Sequence, residues 1–264
     1  MKRMMLLNEN TIKVLKRLAF AAGLGLMMML ITAAITRKRE MPVLATDVVV
    51  KPLQGNVFLI DSTDVVSIIN KSWGESLDGQ PAGNIDPDRI ERFLEEDAFV
   101  KNAEVAITAN SKVNVVVTQR QPVLRIIDSK GLQYYLDETG NRVPLSKHFT
   151  ARTLVATGNI PHFTSDFQLR KKHLLKDLFE LTRVILADPL WSAMFEQVYV
   201  NRRNEFVLVP KVGDQLVILG GVDNLEHKLH RLRVFYEKGL SHEGWQKYST
   251  IDLRYKGQVV CERN

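Results

Sequence analysis

"DAFVKNAEVAITANSKVNVVVTQRQPVLRI", Asp97 to Ile126, is the stretch on which the reading of this 264-residue chain turns. Within it "NAEVAIT" (Asn102 to Thr108) and "KVNVVVT" (Lys112 to Thr118) are rich in β-branched residues, and the small polar break "ANS" separates them. Val113, Val115 and Val117 fall on one side of an extended chain. Period-two alternation on both sides of a short break predicts two adjacent strands with one buried face.

Upstream the period changes. Asp86-Pro87 offers an N-cap and a first-turn proline for a helix that carries Ile90, Phe93 and Leu94 on one side. The loop "ESLDGQPAGN" precedes it, and before that loop Asp61 or Ser62 can cap a helix with Val65, Ile68 and Ile69 at helical spacing. A strand at Asp47 to Lys51, followed by the turn signal Gly55-Asn56, completes the order β-α-α-β-β.

Further upstream, "LAFAAGLGLMMMLITAAI", Leu18 to Ile35, holds no charge over 18 residues. As a helix rising about 1.5 Å per residue it spans about 27 Å, enough to cross a hydrocarbon core once. The length of the run and the lack of a convincing A-x-A cleavage site favour a retained anchor over a cleaved signal. Five basic residues (Lys2, Arg3, Lys13, Lys16, Arg17) precede the run, and Arg37, Lys38 and Arg39 follow it. That bias favours a cytoplasmic N-terminus, with everything after about Thr36 outside the cytoplasmic membrane. Taking these eight basic residues and two acids, Glu9 and Glu40, from totals of 36 and 30 leaves 28 of each sign from Met41 onward. The net charge of +6 therefore belongs to the membrane flanks, which argues against a nucleic-acid partner.

Downstream of Val123 strands dominate. "LQYYLDETGNRVPL" reads as a hairpin bending at Gly140-Asn141, and "RTLVATG" as a short strand. A helix is predicted from about Asp166 to Ala187, with Leu174, Leu178, Leu181 and Ile185 as its apolar stripe and Pro189 ending it. "EQVYVNRRNEFVLVP" and "QLVILG" are strands, "VDNLEHKLHRLRVFYEKG" is a second amphipathic helix, and "YSTIDLRYKGQVV" (Tyr248 to Val260) reads as one last strand. The predicted class is α+β: a tail (1–17), a transmembrane helix (18–36), a linker (37–45), a β-α-α-β-β domain (46–121) and a mainly antiparallel β domain with two helices (122–264).

No residues converge on a reaction. G-x-S-x-G, G-x-x-x-x-G-K-[ST] and G-x-G-x-x-G are all absent. His227 and His230 lie three apart beside Glu226, but no third ligand is in view, so no metal is expected. Asp137-Glu138 reads as a turn former, and Trp73, Trp191 and Trp245 as isolated packing residues. "Arg170-Lys171-Lys172-His173" is expected to open the long helix. Cys261, the lone cysteine, excludes an intrachain disulfide. No cofactor and no small-molecule substrate are expected.

The order of elements resembles the FtsQ/DivIB family of bacterial cell-division proteins, in which a POTRA domain follows a single span. The motifs that carry the likeness are Phe99-Val100 leading into the second strand, "Gln119-Arg120-Gln121-Pro122" at the place of the family's E-R-x-P, the hairpin "Asp137-Glu138-Thr139-Gly140", and "IDLRY" at Ile251 to Tyr255. The E-R-x-P match is partial, since Gln119 stands where the family has an acid. The likeness implies a non-catalytic scaffold at the division septum of the inner membrane. It implies FtsB/FtsL-like coiled-coil partners at the C-terminal strand, and an FtsK-like partner at the POTRA domain. A secretion-type POTRA protein and a membrane-anchored wall enzyme are the competing readings.

On pattern alone the last strand could be an interior strand or an open edge. The resemblance favours an edge that accepts a partner strand over Leu253 to Val259. Ile251, Leu253 and Tyr255 would supply the apolar face, with Tyr255 as the aromatic anchor. Arg254 would pair with a partner carboxylate, Lys256 would discourage self-pairing, Gly257 would permit close approach, and Gln258 and Val259 would complete the contact.

Overall fold

The computed structural model describes residues 9–240, 244 and 247–263; Trp245 lies outside the described residues. A helix, α1 (Glu9–Glu40), runs unbroken past the apolar stretch, so that Arg37, Lys38 and Arg39 form its last turn. Its segment Lys16–Glu40 is long and apolar enough to cross a membrane, and none of it is buried. Thr32 donates its hydroxyl to the Met28 carbonyl at 3.0 Å, and Thr36 to that of Thr32 at 2.9 Å, so both polar groups are satisfied within the helix.

The chain divides into two compact units. The first holds the chain up to Val49 with Ser62–Leu94 and Ala103–Val117; the second holds Val50–Asp61, Glu95–Asn102 and Thr118–Asn264. The elements from β1 (Ala45–Lys51) through α2 (Ser62–Trp73), α3 (Pro87–Glu95), β2 (Val100–Ile107) and β3 (Lys112–Gln119) follow the expected β-α-α-β-β order. They form a three-stranded sheet in the order β1-β3-β2. Val65 and Ile69 from α2, Ile90 and Leu94 from α3, and Val113, Val115 and Val117 are all buried, as the two periodicities require. The Asp86 carboxylate accepts the Arg89 N–H at 3.3 Å, and Glu91 reaches across to accept the Val105 N–H at 2.7 Å.

Between α1 and β1 the chain is tied down rather than loose. Ala82 N donates to Met41 O at 2.9 Å, Val43 N to Gln80 O at 2.8 Å, and Leu44 N to Ser111 O at 2.8 Å. The Arg39 stem lies against Gly83 so closely that a Cβ there would stand 2.8 Å from the Arg39 Cβ.

In the second unit nine strands form one mixed sheet. They are β4 (Pro122–Ile127), β5 (Gln133–Asp137), β6 (Arg142–Val143), β7 (Leu154–Gly158), β8 (Phe195–Val200), β9 (Phe206–Pro210), β10 (Leu216–Gly220), β11 (Tyr248–Asp252) and β12 (Val260–Arg263). Their spatial order is β12-β11-β10-β9-β8-β7-β4-β5-β6. Most pairs are antiparallel; β4 with β7, β7 with β8, and β10 with β11 are parallel. The core joins Leu124, Ile126, Val198, Leu208 and Val217 of the sheet to Leu175, Leu178, Leu181 and Ile185 of α4 (Leu174–Ala187) and Leu229 and Leu232 of α6 (Leu225–Val234).

One expectation for the helices is corrected. The long helix starts at Leu174, because His173 is extended (φ −156°) and its Nδ1 accepts the Leu175 N–H at 3.3 Å as an N-cap. Arg170, Lys171 and Lys172 therefore precede the helix; Arg170 pairs with Asp166 at 3.0 Å. The helix ends at Ala187, before Pro189, as expected, and Pro189 then starts a separate helix, α5 (Pro189–Met194), whose first turn is capped by Asp188 accepting the Leu190 N–H at 2.9 Å. Proline is suited to that position, where its missing N–H has no intrahelical partner to lose.

Candidate partner-binding edge

The last strand stops earlier than its alternation suggests. β11 ends at Asp252, Leu253 to Val259 form a turn, and the chain reverses into β12. β12 pairs antiparallel with β11, placing Thr250 opposite Glu262, Ile251 opposite Cys261 and Asp252 opposite Val260. β11 is thus flanked by β10 on one side and β12 on the other. Among the described residues no strand lies beyond β12, so the open border is Val260–Arg263.

A single side chain from α6 fixes the turn. Arg231 donates to the carbonyls of Leu253 (3.1 Å), Tyr255 (2.6 Å) and Gln258, which satisfies three acceptors that a continued strand would have paired with backbone N–H groups. Gly257 sits at φ +74°, a left-handed conformation that glycine adopts without steric cost.

The predicted contact residues divide by their burial and by the partners they already have. Ile251 and Leu253 are buried in the core, and the Leu253 N–H donates to Ile218 O at 2.9 Å. Arg254 has its own partners within the chain. Its Nη2 meets Asp252 Oδ2 at 2.6 Å and its Nη1 meets Glu205 Oε1 at 3.0 Å. Those two hydrogen bonds hold the guanidinium pKa well above its usual value. Burial pushes the Asp252 carboxyl up, but the Arg254 side chain and backbone N–H outweigh it and hold the group below the ordinary range. No partner carboxylate is needed for Arg254.

Tyr255, Lys256, Gly257 and Gln258 are exposed, and Val259 is half-buried. Tyr255 keeps 53% of its surface accessible and Val260 42%, although both are large and apolar in character. Beside them His230, Arg231, Val234, Phe235, Lys238, Gly239, Gly257 and Val259 line an open groove of about 530 Å³. The sequence reading missed the α6 side of this surface, Arg231, Val234, Phe235 and Lys238. Only Gly257 in "YKGQ" signalled the turn.

The motif residues Gln119, Arg120 and Asp137 lock the second unit internally. Arg120 Nη1 donates to Asp137 Oδ2 at 3.0 Å, and Asp137 Oδ1 accepts the N–H groups of Thr139 (2.9 Å) and Asn141 (2.8 Å), so Asp137 is a turn former as read. Gln119, buried, accepts the Leu59 N–H at 2.6 Å and donates to Lys51 O at 2.8 Å. Trp191 is buried and stacks on Phe195 at 5.6 Å, while Trp73 donates to Gln80 at 3.1 Å beneath the Arg89 guanidinium.

One apolar N-terminal helix, a compact βααββ unit and an open mixed sheet with helices against its core define an α+β protein of the POTRA-containing, single-span class. Residues 46–118 match the POTRA-like domain, and residues 121–262, more than half of the chain, match the family described as FtsQ/DivIB, C-terminal related. The chain belongs to that family. No curated protein matches it.

Proposed function

We propose that this chain is a non-catalytic, single-pass scaffold of the bacterial division machinery that recruits a partner by strand addition along β12. The family supports a division role, and the apolar α1 suits a single span. One observation carries the docking reading: β12 is a terminal strand with an uncovered outer border among the described residues. A four-residue border offers few backbone hydrogen bonds, so affinity has to come from apolar surface beside it. Tyr255, Val260, Val234 and the adjoining groove supply that surface, and Lys238 and Lys256 favour an acidic partner segment.

The partner is an FtsB/FtsL-like bitopic coiled-coil pair, with an FtsK-like protein at the POTRA-like unit. The N-terminus lies in the cytoplasm and the sheet unit in the periplasm at the septum. Hydrogen exchange of the full chain with a partner ectodomain tests the edge: amides of Val260–Arg263 become protected, and unchanged exchange there rules out strand addition. Tyr255→Ala combined with Val260→Ser abolishes co-purification. Cys261, the sole thiol, is labelled by a membrane-impermeant reagent only from the periplasmic face.

A further inference from the structure

The end of α1 and the unit it is tied to enclose a second groove, of about 470 Å³, that the partner reading does not use. Ile35, Lys38 and Arg39 form the α1 wall; Ala82, Gly83, Ile85, Ile107, Thr108 and Ser111 form the other. We propose that this groove binds the phosphodiester headgroup of an anionic phospholipid, with Lys38 and Arg39 matching its charge and the Ser111 hydroxyl donating to a phosphate oxygen.

Depth supports this occupant. The charge-free run ends at Ile35, and Lys38 and Arg39 lie three and four residues further on, about 5 to 6 Å along a helix axis. A span centred on Leu18 to Ile35 therefore puts both cations at headgroup level. The hydrogen bonds from Val43, Leu44 and Ala82 fix the opposite wall at that same level. Met41 and Leu44, which follow α1 directly, remain 46% and 67% exposed, so apolar surface continues past the end of the helix.

Charge supports it as well. Among the described residues neither Lys38 nor Arg39 forms an ion pair, and Glu40 is the one acid in that last turn, while Asp47 nearby in sequence is engaged by Lys112 at 3.0 Å. Cations just beyond a span attract anionic lipid.

Ser111 is the independent observation. It is 3% exposed, its hydroxyl forms no hydrogen bond among the described residues, and it lines the groove. Its backbone sits at φ +56°, where serine is unfavourable and glycine is not. A hydroxyl that lines the groove without an intramolecular partner is free to donate to a phosphate oxygen there.

The inference rests on α1 crossing a membrane and is independent of the partner at β12. Its test is native mass spectrometry of the full chain in detergent, titrated with phosphatidylglycerol or with phosphatidylcholine of the same acyl chains. The wild type retains phosphatidylglycerol preferentially. Lys38→Gln with Arg39→Gln lowers that preference by about fivefold for each charge removed. Ser111→Gly, which suits φ +56° and so keeps the fold, lowers it too.

Retention that survives loss of Lys38 and Arg39 overturns the site. Retention that falls with those charges but ignores Ser111→Gly reduces the effect to general charge attraction, and likewise overturns it. Displacement of the lipid by equimolar inorganic phosphate would show that the groove reads a free anion and not a headgroup. Loss of partner binding at β12 moves none of these readouts, so failure of one reading is distinguishable from failure of the other.

Discussion

The Arg231 guanidinium donates to the Tyr255 carbonyl at 2.6 Å from a helix 24 positions earlier in the chain. With the bonds to Leu253 and Gln258 it sets where β11 stops, and so decides that β12, not the predicted stretch, forms the border. Arg231→Lys should not replace it, because a point ammonium cannot reproduce a planar fork over three carbonyls. We expect faster amide exchange over Tyr255 to Val260 and a loss of about 1 to 2 kcal/mol, given the partial exposure of these hydrogen bonds. Exchange rates equal to those of the wild type would remove Arg231 from this role.

Arg254 ties β11 to the start of β9. Its stem covers Gly220, where a Cβ would stand 2.8 Å from the Arg254 Cγ, and its guanidinium joins Asp252 to Glu205. Arg254→Ala is therefore expected to lower the thermal midpoint of the full chain in detergent by the equivalent of about 1 kcal/mol, since these pairs are part-exposed. Partner co-purification should fall only as far as the folded fraction falls. A loss of binding with stability unchanged would return Arg254 to the interface.

The contrast between these arginines and the POTRA-like unit shows which features can be read from a sequence. Val113, Val115 and Val117 were legible because a strand's buried face follows from period-two spacing alone, and the α1 span because no charge interrupts it. Arg231 was not legible: in "EHKLHRLR" it looks like any solvated charge, and its role exists only once α6 lies beside a turn more than 20 residues away. The alternation Ile251, Leu253, Tyr255 continues past the end of β11, so it could not mark the boundary. The capping of α4 by His173 was hidden for a similar reason, since the basic residues before it are compatible with a helix and only backbone geometry excludes them.

Gln119 stands where the family has an acid, and its side chain shows why the change is tolerated. The amide accepts from Leu59 N and Ile60 N while donating to Lys51 O, a combination an ionised carboxylate cannot match. Gln119→Glu should consequently destabilise the chain, by about 1 to 3 kcal/mol, because a carboxylate at this buried position cannot donate to the Lys51 carbonyl. Urea unfolding measures this. A variant as stable as the wild type would mean that Lys51 O finds another donor.

Acid sensitivity should centre on Asp137. Burial alone would raise its pKa, but hydrogen bonds from Thr139, Asn141 and Arg120 outweigh burial and hold the carboxyl below its ordinary range. A carboxyl depressed in the folded state stabilises fully above its unfolded pKa of about 3.9, and that contribution is lost as pH falls through the folded value. Asp128 and Asp252 are lowered too and act in the same direction. Asp137→Asn removes the charge opposite Arg120, whose pair is largely buried, and should cost about 3 kcal/mol at neutral pH. The gap between variant and wild type should then narrow below about pH 4, because the wild type loses the same charge by protonation. Urea midpoints between pH 3 and pH 7 provide the measurement. A gap that stays constant across that range would show that the Asp137 carboxyl is not depressed on folding, and would remove its charge from the acid sensitivity.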